Sequence, residues 1–222
     1  MRGIWGGVHT VCPFTLDSIT IPAITGRSSR IYVLGIAGSP RKDGNTDILL
    51  ERVITGAAEV GAVTKTIVLR GLKIEGCRHC DGCLKTGECV IKDEMQDVYP
   101  ELRKADRLVI AAPVFFMGPP AQVKAMIDRC QALWSLRYVL KKPVALNDGG
   151  SRKALYVSVG GTKLRDLFLP SITILKSWLL TLQVTYSGEL VFPGVDEAGA
   201  IRNHPTALQD AFEAGRMLVT EQ

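Results

Sequence analysis

Five short apolar runs punctuate the chain, and longer amphipathic stretches separate them. Residues 31–38 (IYVLGIAG) are β-branched and apolar and end in glycine. Apolar at every position, they predict a strand covered on both faces, as in a parallel sheet. AVTKTIVL (62–69), RLVIAAPV (107–114), KALYVSVG (153–160) and VTYSGELVF (184–192) predict four more strands. The stretches between them carry a helical period. In 45–61, Ile48, Leu49, Val53 and Ala57 recur three and four apart behind an Asn-Thr-Asp start. Residues 119–134 begin on proline and set Val123, Met126, Ile127, Cys130 and Trp134 on one apolar face. Residues 92–105 read as a helix in part, which Pro100 is expected to break or restart. Residues 163–183 read as helical around Pro170, and 204–220 as the last helix. Strands alternating with helices predict an α/β fold: a doubly wound five-stranded parallel sheet with helices on both faces, and ligands at the carboxyl ends of the strands.

A chain of 222 residues, 46% hydrophobic, suits one domain with a sizeable core. The net charge of +5 is not arranged in blocks; Lys141–Lys142 and the Arg27/Arg30 pair come nearest to a patch. That argues against nucleic acid and leaves room for an acidic partner or a phosphorylated ligand. No apolar run reaches the length of a membrane span. Residues 1–30, broken by Gly, His and Pro, are expected to be an N-terminal extension of unknown role. Trp5, His9 and Cys12 within it are assigned none, and residues 31–222 are read as the domain. Four of six cysteines crowd into 77–89, in a chain large enough to need no disulfide staples. A reducing, cytoplasmic compartment is the expectation.

GSPRKDGNT (38–46) joins the first strand to the first helix. A helix N-terminus offers free backbone N–H groups and a positive dipole end, so an anion fits there. Ser39 and Thr46 add hydroxyls, Asn45 an amide and Arg41 a charged fork suited to phosphate oxygens. Neither G-x-G-x-x-G nor Gly-Lys-Ser/Thr is present, and no cysteine is followed by Arg at phosphatase spacing. A monophosphate such as that of FMN remains, against an ordinary capped turn. APVFFMGPP (112–120) leaves the third strand. Pro113, Val114, Phe115, Phe116, Met117 and Gly118 form an apolar, aromatic ledge of the kind a flavin ring needs, against plain core packing. The SVGGTK turn (158–163) is a candidate third wall.

The loop 76–92, after the second strand, holds Cys77, Cys80, Cys83 and Cys89 in the spacing C-x2-C-x2-C-x5-C. The two x2 steps let three thiolates converge, and the fourth follows a turn at Gly87. One 4Fe–4S cluster is the natural stoichiometry. Zinc, a redox disulfide and bare thiols are the competing readings. His79 is read as a surface or supporting group, and Cys130 as core.

From Ile31 onward the chain resembles the NAD(P)H-dependent FMN reductase-like, flavodoxin-like superfamily, and within it the iron–sulfur flavoproteins. The resemblance rests on GIAGSPRKDGNT, GCRHCDGCLKTGECVIKDEM, ADRLVIAAPVFFMGPPAQVKAMIDR and NHPTALQDAFEAGRML. It implies FMN, with its phosphate on Ser39, Arg41, Asn45 and Thr46 and its ring against Pro113–Gly118. It also implies a 4Fe–4S cluster on Cys77, Cys80, Cys83 and Cys89, a homodimer or homotetramer, and a ferredoxin-like electron donor. The function expected is electron transfer between a one-electron donor and an acceptor through cluster and FMN, with no catalytic side chain at the core step. The alternatives are a cluster-free reductase that uses NAD(P)H as substrate to reduce flavins, quinones or nitro compounds, and a non-catalytic flavin or zinc redox sensor.

Overall fold

The computed structural model describes residues 30–147 and 150–221. The expectation for residues 1–30 therefore falls, but for Arg30, outside the described residues. Strands β1 (Tyr32–Ala37), β2 (Val63–Val68), β3 (Arg107–Ala111), β4 (Lys153–Gly160) and β5 (Thr185–Pro193) form one sheet in the order β2-β1-β3-β4-β5. Every neighbouring pair is parallel. This is the doubly wound order expected of a flavodoxin-like fold.

The central strands are apolar throughout because both faces are covered. Along β1, Leu34 and Ile36 enter one core with α2 (Met95–Lys104), α3 (Ala121–Arg129) and α5 (Leu169–Leu182). Val33 and Ala37 enter the other core with α1 (Asn45–Glu59) and α6 (Ala207–Thr220). The edge strand β2 is more exposed and correspondingly polar, VTKTIV.

Three helices depart from the sequence reading. α2 runs unbroken through Pro100. Burial of Met95, Val98 and Leu102 on one face outweighs the single backbone hydrogen bond the proline removes. The helix expected over 119–134 stops at Cys130, whose ψ of 3° breaks it. It resumes as α4 (Gln131–Trp134) and widens into a π-helical turn over Ser135–Val139. The break takes Trp134 off the buried face and leaves it 39% exposed, while Cys130 stays in the core as expected. Burial pushes the Cys130 thiol up to about 12, so it stays protonated. The segment expected to be helical over 163–183 begins only at Leu169, with Pro170 in the first turn, where its missing N–H costs nothing.

The far end of the sheet is tied by a buried arginine. Arg152 donates to the carbonyls of Leu102 and Ala105 at the end of α2 and of Leu182 at the end of α5. A cation among orphan helix carbonyls satisfies acceptors that have no partner within their own helices. Burial still lowers its pKa to about 10, so it stays charged at neutral pH.

α1 and α6 meet backbone to backbone through a glycine from each. A Cβ on Gly56 would lie 2.0 Å from the Phe212 carbonyl oxygen, and one on Gly215 2.0 Å from that of Val53. Gly56→Ala is expected to force the helices apart and destabilise the domain by about 1–3 kcal/mol, read as a lower urea midpoint with unchanged m. An unchanged midpoint would contradict this contact.

Candidate functional site

The strand order opens a cleft beyond the carboxyl ends of the paired strands β1 and β3. α1 follows β1 onto one face and α3 follows β3 onto the other, so their loops diverge at the carboxyl edge. The cleft encloses about 170 Å³. Its walls are Ser39–Arg41 and Gly44–Thr46, Pro113–Phe115, Val159–Gly161, and Val195 with Asp196.

The first wall is the β1–α1 loop. α1 begins after Gly44 with no side chain capping its first turn, so its leading N–H groups have no helical partner. The Thr46 side-chain oxygen is buried at the same end and has no hydrogen-bond partner. Ser39 Oγ accepts the Arg41 backbone N–H at 3.1 Å, which closes a small turn. The two other predicted residues have structural duties as well. Asn45 Nδ2 donates to the Glu197 carbonyl at 2.8 Å, and its Oδ1 accepts the Ile201 N–H at 3.2 Å. Arg41 Nη1 donates to the Asp196 carbonyl at 3.1 Å. Asn45 lines the cleft while its amide is held by Glu197 and Ile201, and both residues moor the loop after β5 as a wall of the cleft.

The second wall is pinned to β4. Tyr156 Oη donates to Ser158 Oγ, which donates to the Ala112 carbonyl at 2.7 Å. The Val114 N–H bonds to the Val159 carbonyl at 3.0 Å. Beyond it the chain reverses. Phe115 and Gly118 exchange both backbone hydrogen bonds around a two-residue turn with φ +50° at Phe116 and +64° at Met117. That geometry suits Asn-Gly, so bulky residues there are strained. The turn throws Phe116 fully into solvent. Of the predicted ledge, Pro113, Val114 and Phe115 line the cleft, whereas Phe116, Met117 and Gly118 do not.

The cysteine loop lies at the other end of α3. Cys77, Cys80, Cys83 and Cys89 all line one pocket with Arg129, Gln131 and Ala132. His79 and Asp81 take left-handed conformations on either side of Cys80. They curl the backbone so that the His79 N–H approaches Cys77 Sγ at 3.5 Å. Gly87 supplies the expected turn, with φ +77° and Leu136 filling the space a side chain would need. Ser135 is buried, and its Oγ lies 3.3 Å from Cys83 Sγ. All five described cysteines are free thiols. Among the described residues no three His, Cys, Asp or Glu side chains converge as ligands of a single ion. The four sulfurs border a common space instead.

Arg129 closes the stem of this loop. Its side chain is 0% exposed and forms a fork with Asp93, at 2.6 and 3.0 Å. It also donates to the Glu75 and Ile91 carbonyls at 3.0 and 3.2 Å. Burial alone would raise the Asp93 pKa, but hydrogen bonds from Arg129 and from the Glu75 and Met95 amides hold it below the usual carboxylate range. Sequence reasoning missed Arg129, although a readable signal existed: an arginine at the helical spacing of Val123 and Met126, on the buried side of α3. Val195 and Asp196 carried no such signal, because long-range hydrogen bonds place them.

The family described as NADPH-dependent FMN reductase matches residues 31–167. An iron–sulfur flavoprotein of Archaeoglobus fulgidus is 36% identical over 70% of this chain and 75% of that protein. One from Methanosarcina thermophila is 38% identical over 54% of this chain and 64% of its own length, so that alignment spans just under two thirds of the relative. Among solved structures, an NAD(P)H:quinone oxidoreductase from Methanothermobacter marburgensis superposes with a TM-score of 0.63 at 19% identity. That likeness covers 86% of this chain and all of the other, and it bears on the fold. Among the described residues no helix is long and apolar enough to cross a membrane.

Met117→Gly is expected to relieve the left-handed strain and stabilise the domain by about 1 kcal/mol, seen as a raised thermal midpoint. A lowered midpoint would mean that Met117 packing outweighs the strain.

Proposed function

Because the chain belongs to the NADPH-dependent FMN reductase family, and within it to the iron–sulfur flavoproteins, we propose that it is an FMN-dependent electron-transfer oxidoreductase whose cysteine pocket holds a 4Fe–4S cluster. The observation that carries the flavin half is the buried, unpartnered Thr46 hydroxyl at the uncapped start of α1. An unsatisfied donor in that position costs free energy until an acceptor arrives, and a phosphate supplies one. Ser39, Arg41 and the first-turn amides of α1 complete the cradle. Pro113, Val114 and Phe115 offer apolar contact to a ring, and Gly160 and Gly161 leave room opposite them. Phe116 and Met117, outside the cleft, are available to a second molecule approaching the ring.

The thiols fit a multi-iron group. All four thiols line one pocket, and their C-x2-C-x2-C-x5-C spacing lacks the long spacer that usually separates two C-x2-C pairs at a zinc site. FMN exchanges electrons in pairs or singly and the cluster singly, so together they join one-electron and two-electron partners. The chain's own task is to hold both groups and to shape access. α3, about 13 Å long, separates the cleft loop from the cysteine pocket. The mild basic excess and the exposed Lys163 and Arg165 beside the cleft suit an acidic, ferredoxin-like donor. Assembly as a homodimer or homotetramer belongs to the same reading.

Anaerobically purified protein is expected to show flavin absorbance over a broad brown background, with iron and sulfide near four each per chain. Flavin absorbance alone would favour a cluster-free reductase, and zinc without turnover a sensor. Thr46→Val is expected to weaken FMN binding at least tenfold, since a hydrogen bond to a charged group contributes about 1.5–3 kcal/mol, while the flavin-free protein keeps its stability. Unchanged flavin affinity would contradict the cradle. Cys83→Ala is expected to lose the iron and retain FMN; loss of both together would contradict separate sites.

A further inference from the structure

Arg129 has five N–H donors, and the loop stem uses four. Two go to the Asp93 carboxylate, one to the Glu75 carbonyl and one to the Ile91 carbonyl. The fifth, on Nε, is buried and has no partner. Arg129 lines the pocket that all four cysteines line. A merely structural staple would be expected to satisfy its buried donors, and a buried ion pair is a poor source of stability for a fold. The unclaimed donor is therefore the informative part.

We propose that Arg129 is an electrostatic positioning residue of the cysteine pocket: its buried guanidinium faces the sulfur-bound group with one free N–H and holds that group's reduction potential up. The inference rests on the reading that the pocket holds a 4Fe–4S cluster. Four thiolates make such a group anionic, and reduction adds a further negative charge. A fixed cation within the protein, screened far less than one in water, favours the reduced form. A hydrogen bond to a ligand sulfur acts in the same direction, and both are recognised levers on cluster potential. An arginine guanidinium keeps its charge inside a protein, and the Asp93 fork holds it in place. Asp93 opposes Arg129 at the cluster by partly neutralising it, so the two residues of one salt bridge must act with opposite sign.

That opposition separates an electrostatic role from a structural one. Redox titration of the full chain, purified anaerobically and followed by EPR, reads the cluster directly without any turnover assay. Arg129→Gln is expected to shift the reduction equilibrium at least tenfold toward the oxidised cluster, 59 mV for one electron. Arg129→Lys, which keeps the charge, should shift it less. Asp93→Asn, which keeps one carbonyl acceptor for the fork, should shift it the other way, to a higher potential. A cluster-loaded Arg129→Gln protein with an unchanged potential overturns the proposal. So do Arg129→Gln and Asp93→Asn proteins that move in the same direction, as a loosened, wetter loop would make them. Should Arg129→Gln fail to assemble, Asp93→Asn decides alone: a fall or no change overturns the assignment. Wild-type protein free of iron and sulfide overturns the cluster reading itself, and this inference with it.

Discussion

The divergence of the loops that follow the paired strands β1 and β3 is the constraint on which the rest of the structure depends. Adjacent parallel strands whose following helices go to opposite faces leave a gap at their carboxyl edge that no backbone fills. In this chain the gap receives an uncapped helix start, a buried threonine hydroxyl without a partner, and a short proline-led apolar wall. Ordinary packing would close or satisfy each of these. Their coincidence is what the proposed FMN site rests on.

α3 links that site to the second one. Its N-terminus follows the cleft loop, and its C-terminal Arg129 holds both sides of the cysteine stem through Glu75, Ile91 and Asp93. The break at Cys130 and the widened turn at Ser135 then carry the chain around the thiols and bring the Ser135 hydroxyl to Cys83. π-helical turns cost regular hydrogen bonding and occur often at functional sites. The irregularity of residues 130–139 is thus tied to one task, which is to give a long, otherwise structureless loop a fixed wall.

Left-handed backbone strain recurs beside the two sites. The Phe115–Gly118 turn keeps bulky residues left-handed and shows an aromatic ring to solvent. His79 and Asp81 do the same around Cys80. Such conformations persist only where surrounding bonds over-determine them. Here those bonds are visible: Ser158 to Ala112, Ser171 to the Met117 carbonyl, and Asp93 to the Glu75 amide.

The apolar periods by themselves determined the five strands and their order along the chain, and the presence but not the exact extent of the helices between them, because burial on both faces forces a pattern that is readable one segment at a time. Spacing alone likewise singled out the loop Ser39–Thr46, which lines the cleft, and the four thiols, which line one pocket. Only the tertiary structure decided that α2 passes through Pro100, that Phe116 turns outward, that Asn45 and Arg41 moor the loop after β5, and that Arg129 lines the pocket of the cysteines. Each of these depends on partners scores of residues away or on a backbone angle that no local pattern encodes. A chain's own periodicity reports which surfaces must be covered, and the assembled fold alone reports which polar groups are left without a partner once they are.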